Sequence, residues 1–149
     1  MKTTKSFLKY FAAMLLLLPV LSHSQHGPSV LERLTRNTWV IPNSDLLEIT
    51  YTDSTTTSTI QVGDSLAHFV AYYYLSDAPD TLFQAHKIGT ATNGRFINFI
   101  LREALRDNQL HTISISKIVE LNDNELIFES TRKGPIVGSR TSRFVPKPD

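Results

Sequence analysis

Residues 66–75 read Leu66-Ala67-His68-Phe69-Val70-Ala71-Tyr72-Tyr73-Tyr74-Leu75, the strongest strand signal in the chain. Alternation puts Leu66, His68, Val70, Tyr72 and Tyr74 on one face and Ala67, Phe69, Ala71, Tyr73 and Leu75 on the other. Both faces carry apolar or aromatic bulk, so both are expected to be covered. The small side chains of Ala67 and Ala71 leave room for neighbouring side chains or a ligand.

The same period of two continues on either side. Upstream, Thr56–Val62 is rich in β-branched residues and is joined to this strand by a Gly63-Asp64 turn. Leu47, Ile49 and Tyr51 alternate with Leu46, Glu48 and Thr50, and Asp53-Ser54 turns the chain. Trp39-Val40-Ile41 is an apolar run before the turn cluster Pro42-Asn43-Ser44-Asp45. Downstream, Ser76–Asp80 reads as a loop and Leu82–Ile88 as a further strand. Asn93-Gly94 is a hairpin-turn signal that leads into Arg95–Leu101. Glu103–Asn108 breaks the alternation as a long polar turn or one helical turn. Strands are then expected over Leu110–Leu121, around Leu126 and Phe128, and over Ser139–Val145. Asn122-Asp123-Asn124 and Gly134-Pro135 are the turns between them.

Eight or nine short strands joined mostly by tight turns predict an all-β antiparallel meander. Closure into a barrel removes its exposed edges. A two-sheet sandwich, or a helix laid on a curved sheet, are the alternatives. One short helix precedes the strands. Ser29-Val30-Leu31-Glu32 fits a capping box, and Val30, Leu31 and Leu34 share a face of the helix over Val30–Thr35. A helix this short needs support from the sheet.

The first 24 residues read as an export signal. Lys2, Lys5 and Lys9 form a basic start, Tyr10–Leu21 an apolar run, and Ser22-His23-Ser24 a cleavage site with small residues at the positions that are read. The run falls short of the roughly 20 residues that span a bilayer. Removing 24 of the 149 residues leaves 125, from Gln25 to Asp149, the size of one domain. The mature domain loses three of 15 basic residues and none of 14 acidic ones, so its net charge is −2. Such a mixed, weakly acidic surface argues against nucleic acid or an anionic membrane as partner. Cysteine is absent, which excludes disulfides and leaves no thiol for lipid attachment. The expected location is therefore the periplasm or the exterior, with no stable membrane anchor.

The layout resembles a lipocalin-like (calycin) barrel, and more closely the small exported lipocalin-like domains of Bacteroidetes. The resemblance rests on a short helix leading into Asn37-Thr38-Trp39 and on the late segment 118–128, Ile-Val-Glu-Leu-Asn-Asp-Asn-Glu-Leu-Ile-Phe. Lipocalins carry Gly-x-Trp at the first of these places; this chain has Asn37 for the glycine. The pattern spans about Leu31 to Val145. It implies a tryptophan plugging the barrel floor, with Arg140 or Arg143 stacked on the indole. It also implies a non-enzymatic cup that holds a small hydrophobic or amphipathic molecule. Tyr51, Phe69, Tyr73, Phe99, Ile113 and Phe128 are the candidate ligand-binding residues, unless those side chains simply fill the core.

Chemical constellations are sparse. His26, His68, His86 and His111 show no metal-ligand spacing, so no metal site or cofactor is expected. No nucleophile elbow or phosphate loop occurs. The pairs Asp77/Asp80 and Asp123/Glu125 fall in turns, where solvated carboxylates are ordinary. These observations predict no catalytic residues. An enzyme pairing His68 or His86 with Asp77 or Asp80 in a pocket is one alternative. The other is a protein-interaction module, an inhibitor or envelope-complex subunit, with a filled barrel and Tyr72 and Tyr74 exposed as an aromatic face.

Overall fold

The computed structural model describes residues 27–132 and 138–148. The expected export signal and the expected Gly134-Pro135 turn lie outside the described residues. In chain order the elements are α1 (Val30–Arg36), β1 (Trp39–Val40), β2 (Leu47–Tyr51), β3 (Thr55–Val62) and β4 (Ser65–Ser76). A 3-10 turn (Ala85–Lys87), β5 (Phe96–Leu101), α2 (Arg102–Arg106), β6 (Ser114–Leu121), β7 (Leu126–Arg132) and β8 (Gly138–Pro146) follow. Each strand pairs antiparallel with the next, and β8 returns to β1, closing an eight-stranded barrel. The meander and its closure are as the sequence predicts.

Local chemistry sets the element ends. The Ser29 hydroxyl accepts from the Glu32 amide, and the Glu32 carboxylate accepts from the Ser29 amide, forming the capping box. The Ser29 amide, with the Ser29 hydroxyl and Arg36 adding to it, holds the Glu32 carboxyl below its usual range. Gly63, at φ +60°, takes the first central position of the two-residue β3–β4 turn, where a side chain would be strained. The turn after β6 is held by the Asn122 side chain, whose oxygen accepts from the amides of Asn124 and Glu125. Val119 bulges from β6 between Ile118 and Glu120.

The barrel is closed at one end and open at the other. At the closed end, α1 lays Leu34 on Trp39, Leu75, Ile97 and Leu126, while Val30, Leu31, Ile118 and Leu121 pack around them. Trp39 is fully buried, and its Nε1 donates to the Leu34 carbonyl at 2.9 Å, tying strand to helix. Neither arginine stacks on the indole, contrary to what the resemblance implies. Arg143 points outward and donates to Glu125 at 2.8 Å. Arg140 pairs with Ser130 in the half of the barrel away from Trp39. The residue of β8 opposite Trp39 is Pro146.

Three local expectations are corrected. Leu82–Ile88 is not a strand. Phe83 instead folds onto the outside of the barrel against Tyr74 and Ile100, and the chain turns through Ala85–Lys87. Asn93-Gly94 is not a hairpin turn. The Asn93 side chain accepts from the Val30 amide, and a Cβ on Gly94 would sit 2.6 Å from the Ser76 nitrogen, so this dipeptide clamps the long β4–β5 connection to α1 and β4. Finally, β4 is covered on both faces only in its second half. Its pairing with β5 begins at Ala71, so the preceding residues have β3 alone beside them, and Leu66 is 61% and Phe69 49% exposed.

Candidate functional site

The inner face of the barrel follows from the register, because directly paired residues share a face. Tyr73 opposes Phe99, Phe99 opposes Ser114, Ser116 opposes Ser130, and Phe128 opposes Ser142. On the other side Tyr51 opposes Thr56, and Thr56 opposes Ala71. Every one of these side chains points inward. The floor half of that interior is solid. Above it the interior opens into a solvent-accessible pocket of about 270 Å³.

Two kinds of side chain line the cavity. Ile49, Tyr51, Ala71, Phe99, Phe128 and Phe144 make its apolar wall. Tyr51 meets Tyr73 edge-on at 5.5 Å, Tyr73 lies 6.2 Å from Phe99, and Phe128 meets Phe144 edge-on at 6.0 Å. Thr56, Ser58, Ser114, Ser116, Ser130 and Ser142 add a band of hydroxyls. No charged side chain lines it among the described residues. The hydroxyls of Ser116 and Ser130 are 2.8 Å apart and share one proton. Thr56 Oγ1 is buried and has no hydrogen-bond partner. The Tyr51 phenol lies close enough to feel that hydroxyl, yet no bond of ordinary geometry joins them. Burial pushes the Tyr51 and Tyr73 phenols up, with each other (Tyr51) and Asp53 (Tyr73) adding to it, so both stay neutral. Tyr73 donates to the Thr52 carbonyl at 2.6 Å.

The six candidate residues from the sequence therefore divide. Tyr51, Phe99 and Phe128 line the cavity. Tyr73 lies in the core beneath it. Phe69 is on the inner face but at the open end, half in solvent. Ile113 is misplaced: it precedes β6 and packs outside the barrel with Tyr74, Phe83 and Ile100. The expectation took the isoleucines as the inward face, whereas Ser114 and Ser116 are the inward residues of β6, so Ile113 has the opposite parity. The hydroxyl band was missed. Its signal was serine and threonine at the inward parity of β3, β6, β7 and β8, legible only once register is known.

A larger depression of about 1150 Å³ runs along β6 and β8 and shares Ser114, Ser116, Ser130, Ser142 and Phe144 with the first. It takes in residues from both faces of these strands, including Lys117 and Arg143 outside and Ser116 and Phe144 inside, so it defines no single binding face.

Outside the barrel, the expected aromatic face is covered. Tyr74 is buried under Phe83, with Tyr72, Ile88, Ala104 and Leu105 packed on the same cluster. The cover comes from the β4–β5 connection and α2, not from α1. Beneath that cover Asp80 accepts from the Tyr74 hydroxyl at 2.7 Å, Lys87 at 2.9 Å and Gln84 at 3.2 Å. The Tyr74 bond foremost, with Lys87 and the nearby His86, holds the Asp80 carboxyl below its ordinary range. Asn98, fully buried, accepts from the Asp80 amide and donates to Ser76. The network ties the connection to β4 and β5. His68, toward the open end of β4, lies 3.0 Å from Thr59 and meets no carboxylate. Among the described residues no three His, Cys, Asp or Glu side chains converge on a metal position.

Fold and site together define a closed eight-stranded antiparallel barrel with a packed floor and a cup banded by hydroxyls. No family model matches the chain, and no curated protein does. Among solved structures, the chain is similar to an uncharacterized protein from Bacteroides eggerthii DSM 20697. The two are 13% identical with a TM-score of 0.43, over 74% of this chain and 93% of that one.

Proposed function

We propose that this chain is an exported, lipocalin-like binding protein that holds a small amphipathic molecule in its barrel and catalyses no reaction. The cavity of about 270 Å³ above a solid floor carries the reading. Barrels of eight strands are just wide enough for side chains to fill them, so unfilled space between aromatic walls favours an occupant. Apolar ligand surface entering the cup gains about 25 cal/mol per Å² before the costs of binding. The open end favours the same reading. Phe69, Leu101 and Val62 are exposed there, giving an apolar entrance. The lysine-led apolar start of the sequence supports export, and with it a role in the periplasm or outside the cell.

Native mass spectrometry on the protein purified gently from its exported fraction tests the reading. An N-terminus near Gln25 and an added mass that leaves on denaturation are expected. A precursor retained in the cytoplasm would refute export. A bare mass that gains nothing from any small amphipath would refute the cup.

A further inference from the structure

We infer that the cup selects an uncharged molecule of one or two rings, anchored by a neutral hydrogen-bonding group at Thr56. This inference rests on the binding reading above and specifies its ligand class.

Three observations lead to it. The Thr56 hydroxyl, 6% exposed, faces the cavity without a partner. Buried hydroxyls are almost always bonded, so a lone one beside empty space marks where an occupant completes the bond. Ser116 and Ser130 bond to each other, which leaves one hydroxyl proton of the pair to donate inward. With Ser58, Ser114 and Ser142 they form a belt that both donates and accepts. That capacity suits an alcohol, phenol or amide, each of which does both.

Charge argues the same way. A carboxylate or ammonium seated against Thr56 would give up part of its hydration and meet no opposite charge among the side chains that line the pocket. Arg140 faces inward on β8 opposite Ser130, but it is exposed and lines the adjoining larger depression, so an anionic group would meet a cation there and not at Thr56. The volume, about nine waters' worth, accommodates a body of one or two rings. Phe99, Phe128 and Phe144 offer flat surface for such a body.

Equilibrium dialysis of the exported protein against naphthalene, 2-naphthol and 2-naphthoate tests this. The three share one ring system and differ in the group it carries. The naphthol should bind about three- to tenfold more tightly than naphthalene, the increment of one hydrogen bond. The naphthoate should bind weakest. Thr56→Val keeps the shape of the side chain and removes its hydroxyl. It should abolish the preference for the naphthol over naphthalene. Naphthoate binding tightest, or a naphthol preference that survives in Thr56→Val, would overturn the inference while leaving the cup standing. Equal binding of naphthalene and naphthol by the unaltered protein would overturn it without any variant. No binding of any probe would remove the inference and the cup together.

Discussion

Alkali should unfold this protein through its tyrosines, and the size of the effect can be worked out. Tyr51, Tyr73 and Tyr74 are all buried. Desolvation raises each phenol well above its ordinary value. Tyr73 adds to this at Tyr51, Asp53 at Tyr73, and the Asp80 carboxylate at Tyr74. In the unfolded chain the three titrate near pH 10. Below that pH both states hold the protons, and the stabilisation is fully present. Above it the unfolded state releases protons that the folded state retains, so stability falls as pH rises. Each phenol then costs about 1.4 kcal/mol per pH unit. Tyr51 and Tyr73 sit in the closed core and contribute in full. Tyr74 contributes less, because its partner Asp80 is 20% exposed and solvent screens the site. At pH 11 the three together should remove about 3–4 kcal/mol relative to pH 8. That is a large share of the roughly 5–15 kcal/mol that holds a domain folded. Urea unfolding at pH 8, 9, 10 and 11, with phenolate absorbance followed in parallel, measures it. Tyr51→Phe isolates one ring, and its stability should fall with pH about a third less steeply than that of the unaltered protein. Phenolates that form near pH 10 in the folded protein, with unfolding free energy unchanged, would refute the reasoning.

Other outcomes follow from single contacts. Trp39→Ala removes the floor of the barrel and the bond to Leu34, and should cost about 3–5 kcal/mol in denaturant unfolding. Gly94→Ala drives a methyl against the Ser76 backbone and should cost about 1–3 kcal/mol. Gly63→Ala, in open space but at φ +60°, should cost about 1 kcal/mol; thermal melts rank the two. Asp80→Asn should loosen the β4–β5 connection, seen as faster amide exchange at Phe83 and Lys87. Because the Asp80 carboxyl titrates below its unfolded value, its contribution holds above about pH 4 and fades as the pH falls below it. Phe128→Ala should weaken probe binding in the cup, whereas Ile113→Ala should leave it unchanged while lowering the melting temperature.

Much of the fold was legible in the sequence because local chemistry and burial agree there. The capping box at Ser29 and Glu32, the Gly63-Asp64 turn and the alternation in Leu47–Tyr51 and Phe96–Leu101 each have a short-range cause. The site was legible only in part. Tyr51, Phe99 and Phe128 are aromatic residues of alternating strands, and the structure puts all three at the inward parity. Ile113 has the parity opposite to the inward Ser114 and Ser116, and only the register shows that the serines, not the isoleucines, face the cup.

By itself, the sequence determined an antiparallel all-β chain with a capped helix leading into it, since period-two alternation and turn residues act within a few positions of one another. Tertiary structure alone decided where the space and the polar groups fall. Phe83 left strand geometry to cover Tyr74, because burying an aromatic ring outweighs a weak local strand preference. The hydroxyls of Thr56, Ser116, Ser130 and Ser142 come from four strands up to 86 positions apart, and only closure of the barrel brings them into one band. Whether a serine faces solvent or a cup depends on register between distant strands, and a single-residue slip would reverse it.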